Sequence, residues 1–165
     1  MENRVLILDK DRISKKLQRM AYQIWEHNSH ETELHLIGIE GTGIVVATEL
    51  ATRLQQISPL KIFVHHLAMN KRQPLSTPIE MSEELNGKSI ILVDDVANSG
   101  KTLLYAMKPL LAFEPKRIRV AVLVDRKHKS FPVAPDIVGH SVATTLQEHI
   151  EVVCEGKNIT AAFLQ

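Results

Sequence analysis

The chain has 165 residues, of which 44% are hydrophobic and 24% are charged, and its formal net charge is +1. This length is typical of one domain with a substantial core, and we expect residues 1–165 to form one. So small a net charge gives no strong field that would favour nucleic acid or a membrane as partner.

The single cysteine, Cys154, excludes an internal disulfide and suits a reducing compartment. No apolar run approaches the roughly 20 residues of a membrane span, and the N-terminus lacks the apolar core of a signal peptide. We therefore expect a cytoplasmic protein with no membrane partner.

The first third of the chain predicts helices and strands in alternation. Apolar residues recur at three- and four-residue steps over residues 11–26, which predicts an amphipathic helix capped by Asp9 or Asp11. The aliphatic run at residues 34–39 predicts a strand, followed by a glycine loop and a helix through Leu54. A further strand is predicted at residues 61–66.

Residues 67–88 are the least periodic part of the chain and are rich in proline, serine, asparagine and charge. A loop of this length inside a compact domain is usually functional or disordered. Its basic residues, Lys71 and Arg72, either supply positive charge to a ligand or belong to a solvated surface loop.

Residues 90–102 are the stretch around which the chain is organised. Four consecutive aliphatic residues predict a strand that is buried on both faces of a parallel sheet. Two carboxylates, Asp94 and Asp95, follow, and then a turn containing Gly100 and a helix. The N-terminus of a helix binds anions, but two neighbouring carboxylates would repel a bound anion. A ligand that carries both a phosphate and a vicinal diol resolves this conflict, because its hydroxyls can donate to the carboxylates. A generic strand end before a capped helix is the alternative.

The second half continues the alternation. A helix is predicted to about Phe113, with Pro109 kinking it or ending it early. The strand at residues 118–124 ends in a polar cluster, which places that cluster at the crevice of an open sheet. Residues 150–154 and 159–164 predict a hairpin turning at Gly156. The eight histidines lack ligand spacing, so no protein metal site is expected.

Residues 90–102 resemble the binding motif for phosphoribosyl pyrophosphate (PRPP) of the type I phosphoribosyltransferases. Residues 122–145 resemble the base-binding region of bacterial pyrimidine operon attenuation regulators, which double as uracil phosphoribosyltransferases. The resemblance implies an α/β fold of three layers, with a mainly parallel central sheet flanked by helices and a small hood hairpin within residues 67–88. It also implies a homodimer, and Mg²⁺ bound mainly through PRPP.

The resemblance further implies roles for particular residues. Asp94 and Asp95 would be catalytic, orienting the ribose and stabilising its cationic transition state. The other groups are the 5′-phosphate site (Ala97, Asn98, Ser99, Gly100, Lys101, Thr102), the pyrophosphate loop (Gly38, Ile39, Glu40, Gly41, Thr42, Gly43), the hood (Lys71, Arg72) and the base site (Asp125, Arg126, Val138, Gly139).

Two departures from the family pattern bear on function. Asn98 stands where hypoxanthine-guanine enzymes carry a proton-exchanging aspartate, which favours a pyrimidine, most simply uracil, as acceptor. Glu40 and Thr42 stand where related enzymes carry basic residues, which favours the alternative of a regulator that senses a nucleotide or PRPP and acts on RNA. Its RNA-facing residues would then be Arg117, Arg119, Arg126, Lys127 and Lys129.

Overall fold

The computed structural model describes residues 3–75, 81, 84–145 and 147–165. These residues form, in chain order, β1 (Val5–Leu8), α1 (Lys10–His27), β2 (Glu33–Ile39), α2 (Thr42–Ile57), β3 (Lys61–Leu67), β4 (Ser89–Ala97), α3 (Lys101–Leu110), β5 (Arg117–Arg126), β6 (Ile137–Val142), β7 (Ile150–Glu155) and β8 (Asn158–Leu164).

The main sheet has five strands in the order β3-β2-β4-β5-β6, and every neighbouring pair is parallel. The predicted parallel α/β sheet is therefore confirmed, with β4 as its middle strand. The four aliphatic residues at positions 90–93 are fully buried, as expected for a strand covered on both faces.

Two apolar clusters cover the two faces of this sheet and make the fold three layers deep. The first contains the buried residues of α1 and α2, together with residues of β1, β7 and β8. The second contains the buried residues of α3, together with Leu67, Met69 and Leu85 from the segments around the long loop. The carboxyl end of β4 emerges between these layers.

Helix α1 follows its predicted pattern closely. Its buried side chains are the five apolar residues of the stripe (Ile13, Leu17, Met20, Ala21 and Ile24). The Asp9 carboxylate accepts a hydrogen bond of 2.8 Å from the Arg12 backbone N–H, so Asp9 is the cap. Helix α3 ends at Leu110, one residue after Pro109, which is one of the two outcomes expected of that proline, whose nitrogen has no hydrogen to donate to the preceding turn.

A second sheet has the order β1-β8-β7 and joins the two ends of the chain. The predicted hairpin forms β7 and β8, and Gly156 turns it at φ +62°. Strand β1 was not predicted, because four residues with two exposed side chains give little periodic signal and their pairing with β8 is remote in sequence.

The hood expected within residues 67–88 lies partly outside the described residues, at positions 76–80, 82 and 83. In the described part, Leu67 ends β3 and residues 68–75, 81 and 84–88 contain no helix or strand. These described residues do not form the expected hairpin, and the rest of that prediction lies outside the described residues. No helix in the described ranges is long and apolar enough to cross a membrane.

Candidate active site

The carboxyl end of β4 presents the two acids in different environments. Asp94 is 1% exposed, whereas the Asp95 side chain keeps 20% of its surface accessible. Each carboxylate accepts a backbone N–H from the next residue: Asp95 donates to Asp94 Oδ1 at 2.9 Å and Val96 donates to Asp95 Oδ1 at 2.8 Å. These bonds fix both carboxylates within β4, just before the strand ends at Ala97.

Burial sets the protonation of Asp94. Its pKa is raised from 3.8 to about 7, first by burial and then by the charge of Asp95, while the ammonium of Lys71 opposes the rise. Near neutral pH this carboxyl therefore changes between a hydrogen-bond donor and a pure acceptor.

Lys71 reaches this pair from the segment after β3. Its Nζ lies 3.0 Å from Asp94 Oδ1 and 4.0 Å from Asp95 Oδ1. The sequence left two roles open for Lys71, a positive charge for the ligand or a solvated surface residue, and the structure places its ammonium beside the acids. The neighbouring Arg72 side chain is exposed, and its backbone N–H donates to Asn70.

The turn between β4 and α3 carries the six residues predicted to hold a phosphate. Gly100 has φ +89°, a conformation that favours glycine, and it begins α3 without a side-chain cap. Residues from Val96 to Leu103 line a small pocket of their own. The uncapped first turn of α3 faces that loop, which is the arrangement that binds anions.

The loop predicted to bind the 5′-phosphate (residues 97–102, called the phosphate loop) contacts the segment that follows β5. The Ser99 carbonyl accepts N–H groups from Ser130 at 2.9 Å and Phe131 at 3.1 Å. A Cβ on Gly100 would lie 3.3 Å from the Phe131 carbonyl. The loop after β5 therefore packs on the phosphate loop and holds its curvature.

Asn98 adds an unusual feature inside the same loop. Its Oδ1 atom is buried and has no hydrogen-bond partner among the described residues. A buried polar atom without a partner carries a desolvation cost. The Asn98 side-chain oxygen is therefore available to accept a hydrogen bond from a ligand. An amide cannot exchange a proton as a carboxylate does.

The loop predicted for pyrophosphate is shaped mainly by packing. A Cβ on Gly38 would lie 2.8 Å from Ile44 Cα, and a Cβ on Gly43 would lie 2.8 Å from Asp94 Oδ1. Ile39 is buried in the apolar core. These two glycines therefore let the start of α2 approach β2 and the acid Asp94, and only Glu40, Gly41 and Thr42 remain open to a ligand.

Glu40 itself is exposed. Its backbone N–H donates to the Leu67 carbonyl at 2.9 Å, so this group is not free to bind an anion. Gly41, with φ +91°, begins α2 without a side-chain cap, and the N-terminus of α2 is the donor that remains in this loop.

The predicted base-site residues fall into two places. At the end of β5, Asp125 forms an ion pair with Lys129, and Arg126 Nε donates to Thr144 Oγ1 at 2.7 Å. Thr144 lies within residues 122–145 but was not among the predicted site residues.

Val138 and Gly139 lie within β6, away from its carboxyl end. Val138 is in register with Val122, which in turn pairs with Asp94. A Cβ on Gly139 would lie 2.5 Å from the Leu123 carbonyl and 3.1 Å from Met20 Sδ. Gly139 therefore serves the contact between the sheet and α1, and the role of both residues in base binding stays a prediction.

The five basic residues considered for RNA do not form one group. Arg117 donates to the His27 carbonyl at 3.1 Å, at the amino end of β5. Arg126 is at the other end of the strand, nine residues further, a distance of about 30 Å at roughly 3.3 Å per residue. The structure therefore does not bring these residues together into a compact patch.

Cys154 lies closer to the site than its position in the sequence indicated. Burial, together with the charges of Asp95 and Glu49, raises the pKa of its thiol, while a hydrogen bond with Thr42 opposes the rise. A raised pKa leaves little thiolate at neutral pH, as expected of an unreactive strand residue. Among the described residues, no group of three or more histidine, cysteine or acidic side chains is arranged to hold a metal ion.

This geometry agrees with the comparisons with known proteins. Residues 6–155 match the model of the phosphoribosyl transferase domain. The chain therefore belongs to the phosphoribosyltransferase family, whose enzymes are glycosyltransferases.

Among its relatives, "Bifunctional protein PyrR" of Listeria welshimeri is 32% identical, with 92% of this chain and 90% of the relative covered. The protein of the same name from Bacillus cereus strain AH820 is 34% identical, with 92% and 91% covered.

Solved structures share the fold at lower sequence identity. A hypoxanthine-guanine phosphoribosyltransferase of Bacillus anthracis has a TM-score of 0.75 at 17% identity, covering 95% of this chain and 96% of its own. The hypoxanthine phosphoribosyltransferase of Trypanosoma cruzi has a TM-score of 0.79 at 13% identity, covering 95% of each chain. These likenesses describe the fold, and they leave the base open.

Proposed function

We propose that the protein transfers ribose 5-phosphate from PRPP to uracil and releases pyrophosphate. The observation that carries the proposal is the succession of two sites along the chain. Asp94 and Asp95 lie near the carboxyl end of β4, and α3, whose N-cap Gly100 has no side chain to cap it, begins six residues after Asp95. A ligand with a vicinal diol and a phosphate on one five-membered ring matches these two sites.

The chain's own groups then divide the work. The backbone of the phosphate loop and the N-terminus of α3 hold the 5′-phosphate. The carboxylates accept the ribose hydroxyls, and Asp95, the more exposed acid, faces the positive charge that develops on the ring as pyrophosphate leaves. Catalysis by positioning and charge stabilisation needs no covalent intermediate.

The site also suits Mg²⁺. The two carboxylates offer the hard oxygen ligands that this ion prefers, and they already hold a cation, the Lys71 ammonium, at 3.0 Å from Asp94. When bound with PRPP, Mg²⁺ neutralises the charge of the pyrophosphate. Asp94 and Asp95 are the residues that would hold it, with the ligand supplying its other oxygens.

Uracil is preferred as acceptor for two reasons. Asn98 stands where hypoxanthine-guanine enzymes carry an aspartate that exchanges a proton with the purine. Its buried Oδ1 can accept a hydrogen bond from a ligand but cannot exchange a proton. The relatives at 32–34% identity carry the name PyrR, and the resemblance at residues 122–145 is to enzymes that use uracil.

A homodimer is part of the same proposal and is tested by sedimentation.

The test is to incubate the protein with PRPP, Mg²⁺ and one base at a time (uracil, orotate, hypoxanthine or guanine), and to follow pyrophosphate release. We expect release with uracil, and none from a folded variant carrying Asp94→Asn and Asp95→Asn. Release with hypoxanthine or guanine in preference to uracil would refute the choice of base. Unchanged PRPP affinity in the double variant would refute the site.

A second candidate function, regulation through RNA, is favoured by a surface away from the predicted patch. One face of α1 lines a groove with four basic side chains: Arg12, Lys15, Lys16 and Arg19. Burial lowers the pKa of His140 on β6, and the nearby charges of Lys16 and Arg12 lower it further. A concentrated positive charge of this kind attracts a phosphate backbone.

This candidate is tested by gel retardation of a structured RNA at several salt concentrations. Binding through α1 predicts that Lys15→Ala with Lys16→Ala weakens the complex and flattens its salt dependence by up to about two counterions. Lys61→Ala with Lys157→Ala removes two exposed charges elsewhere and serves as the control. Equal loss in both double variants would contradict a specific role for α1.

A further inference from the structure

The contact between Lys71 and the acid pair has properties of a replaceable partner. Its ammonium reaches both carboxylates, at 3.0 Å and 4.0 Å, from a residue 23 positions before Asp94. The Lys71 side chain is 36% exposed, whereas that of Asp94 is only 2% exposed. The acid is therefore fixed in the protein, while the cation can move into solvent.

A short turn delivers this ammonium. The Asn70 side-chain oxygen accepts the backbone N–H groups of Arg72 at 3.1 Å and Gln73 at 3.0 Å, a turn made by a single asparagine. Met69 and Pro74, on either side, are buried. The turn is thus anchored at both ends, and Lys71 is the residue that it presents to the crevice.

The place held by Lys71 is the place that the proposed function needs. The hydroxyls of a ribose, or a cation bound with it, must approach the same oxygen of Asp94 that the ammonium now contacts. Asp94 Oδ1 already accepts the Asp95 N–H at 2.9 Å and contacts the Lys71 ammonium at 3.0 Å, so a ribose hydroxyl or a cation that binds this oxygen competes with Lys71. Ligand binding therefore requires an exchange.

We propose that Lys71 is an exchangeable counter-cation of the Asp94–Asp95 pair. It neutralises the carboxylates while no sugar is bound, leaves them when the ribose hydroxyls arrive, and then contacts the pyrophosphate of PRPP. This inference rests on the proposed function. The resemblance already implies that Lys71 meets the ligand, and the new element is its exchange between the two carboxylates and the pyrophosphate.

The two partners give a test with opposite signs. Ribose 5-phosphate has the diol and the phosphate but no pyrophosphate, so binding it displaces Lys71 without offering another anion. PRPP offers the pyrophosphate in return. Lys71→Met should therefore bind ribose 5-phosphate about five-fold tighter than wild type and Mg²⁺-PRPP about five-fold weaker, the size of effect expected for one partly exposed ion pair.

Both affinities are measured by titration calorimetry at pH 8 and again at pH 9, because loss of the Lys71 ammonium raises the pKa of Asp94 further and the carboxylate must be charged in both proteins. Arg72→Met removes the same charge one residue away, from an exposed side chain, and should not produce opposite changes. Lys71→Gln repeats the test in case the apolar variant folds poorly, and Lys71→Arg should restore the wild-type order of affinities.

Each outcome decides. Opposite changes in Lys71→Met, absent from Arg72→Met, support the exchange. Changes of the same sign for both ligands, or no change, overturn it while leaving the proposed function standing, because they make Lys71 a structural contact. Failure of both ligands to bind the wild-type protein overturns the proposed function and the exchange together.

Discussion

Replacing Asp94 with asparagine should make the protein more stable above neutral pH while it removes the proposed activity. Asp94 has a pKa raised from 3.8 to about 7. The unfolded chain releases this proton near pH 3.8, whereas the folded chain keeps it until about pH 7. Between these values the folded state binds the extra proton, so its stability falls as pH rises.

The size of the effect follows from the shift. One pKa unit corresponds to about 1.4 kcal/mol, so the charged carboxylate destabilises the folded state by about 4 kcal/mol above pH 7. Asparagine has the same shape and no charge, and its carbonyl can still accept the Asp95 N–H. The stability of Asp94→Asn relative to wild type should thus grow by about 3 kcal/mol from pH 5 to pH 8.

Urea unfolding of both proteins at pH 5, 6, 7 and 8 measures this difference. Every other titrating group is common to the two proteins, so the pH dependence of their difference reports on Asp94 and the groups coupled to it. Equal slopes with urea concentration are the control that the unfolded states are comparable. A stability difference that stays constant with pH, or one that shrinks as pH rises, would refute the argument.

Four further predictions concern the same crevice. If the carboxylate form of Asp94 accepts the ribose hydroxyls, kcat/KM for PRPP should rise with pH through about 7, and a profile flat from pH 6 to pH 8 would contradict this. Gly43→Ala places a Cβ 2.8 Å from Asp94 Oδ1 and should weaken PRPP binding by roughly tenfold or more, measured by calorimetry. Gly41→Ala meets no atom within 4 Å and should cost about 1–3 kcal/mol of stability, because its backbone (φ +91°, ψ −137°) lies in a region that favours glycine, with a smaller loss of affinity. Glu40→Lys should tighten PRPP binding by at most about fivefold, because Glu40 is exposed. A larger gain in affinity, or a gain that high salt leaves unchanged, would show that Glu40 faces the ligand at close range.

The main sheet was predictable because its strands are buried on both faces and their sequences show it. Residues 90–93 are aliphatic without interruption and lie in the middle strand. Helix α1 was predictable for a related reason, since its apolar stripe matches the helical period and Asp9 is in the capping position. In each case one local pattern carries both the element and its burial.

The rest depends on contacts between distant residues. Strand β1 forms through its pairing with β8, which lies about 155 residues further along the chain. Its own four residues carry no periodic apolar pattern that would predict a strand. The expected hood hairpin was taken from a family pattern that the described part of residues 67–88 does not follow. The contact of Lys71 with Asp94 likewise requires the turn at Asn70, whose direction the sequence does not reveal.

Glycines illustrate the same limit within the site. Gly38 and Gly43 look like residues chosen to bind a phosphate, because both flank a loop at a helix N-terminus. The structure gives them a different primary reason, since each allows the backbone of α2 to approach a strand more closely than a Cβ permits. That close approach presses the start of α2 against the Asp94 carboxylate and contributes to its burial. Burial is in turn the first cause of its raised pKa, so the packing of the loop at residues 38–43 and the protonation of Asp94 depend on each other. A substitution that relaxes this packing should therefore lower the pKa of Asp94, even where it touches neither ligand nor acid.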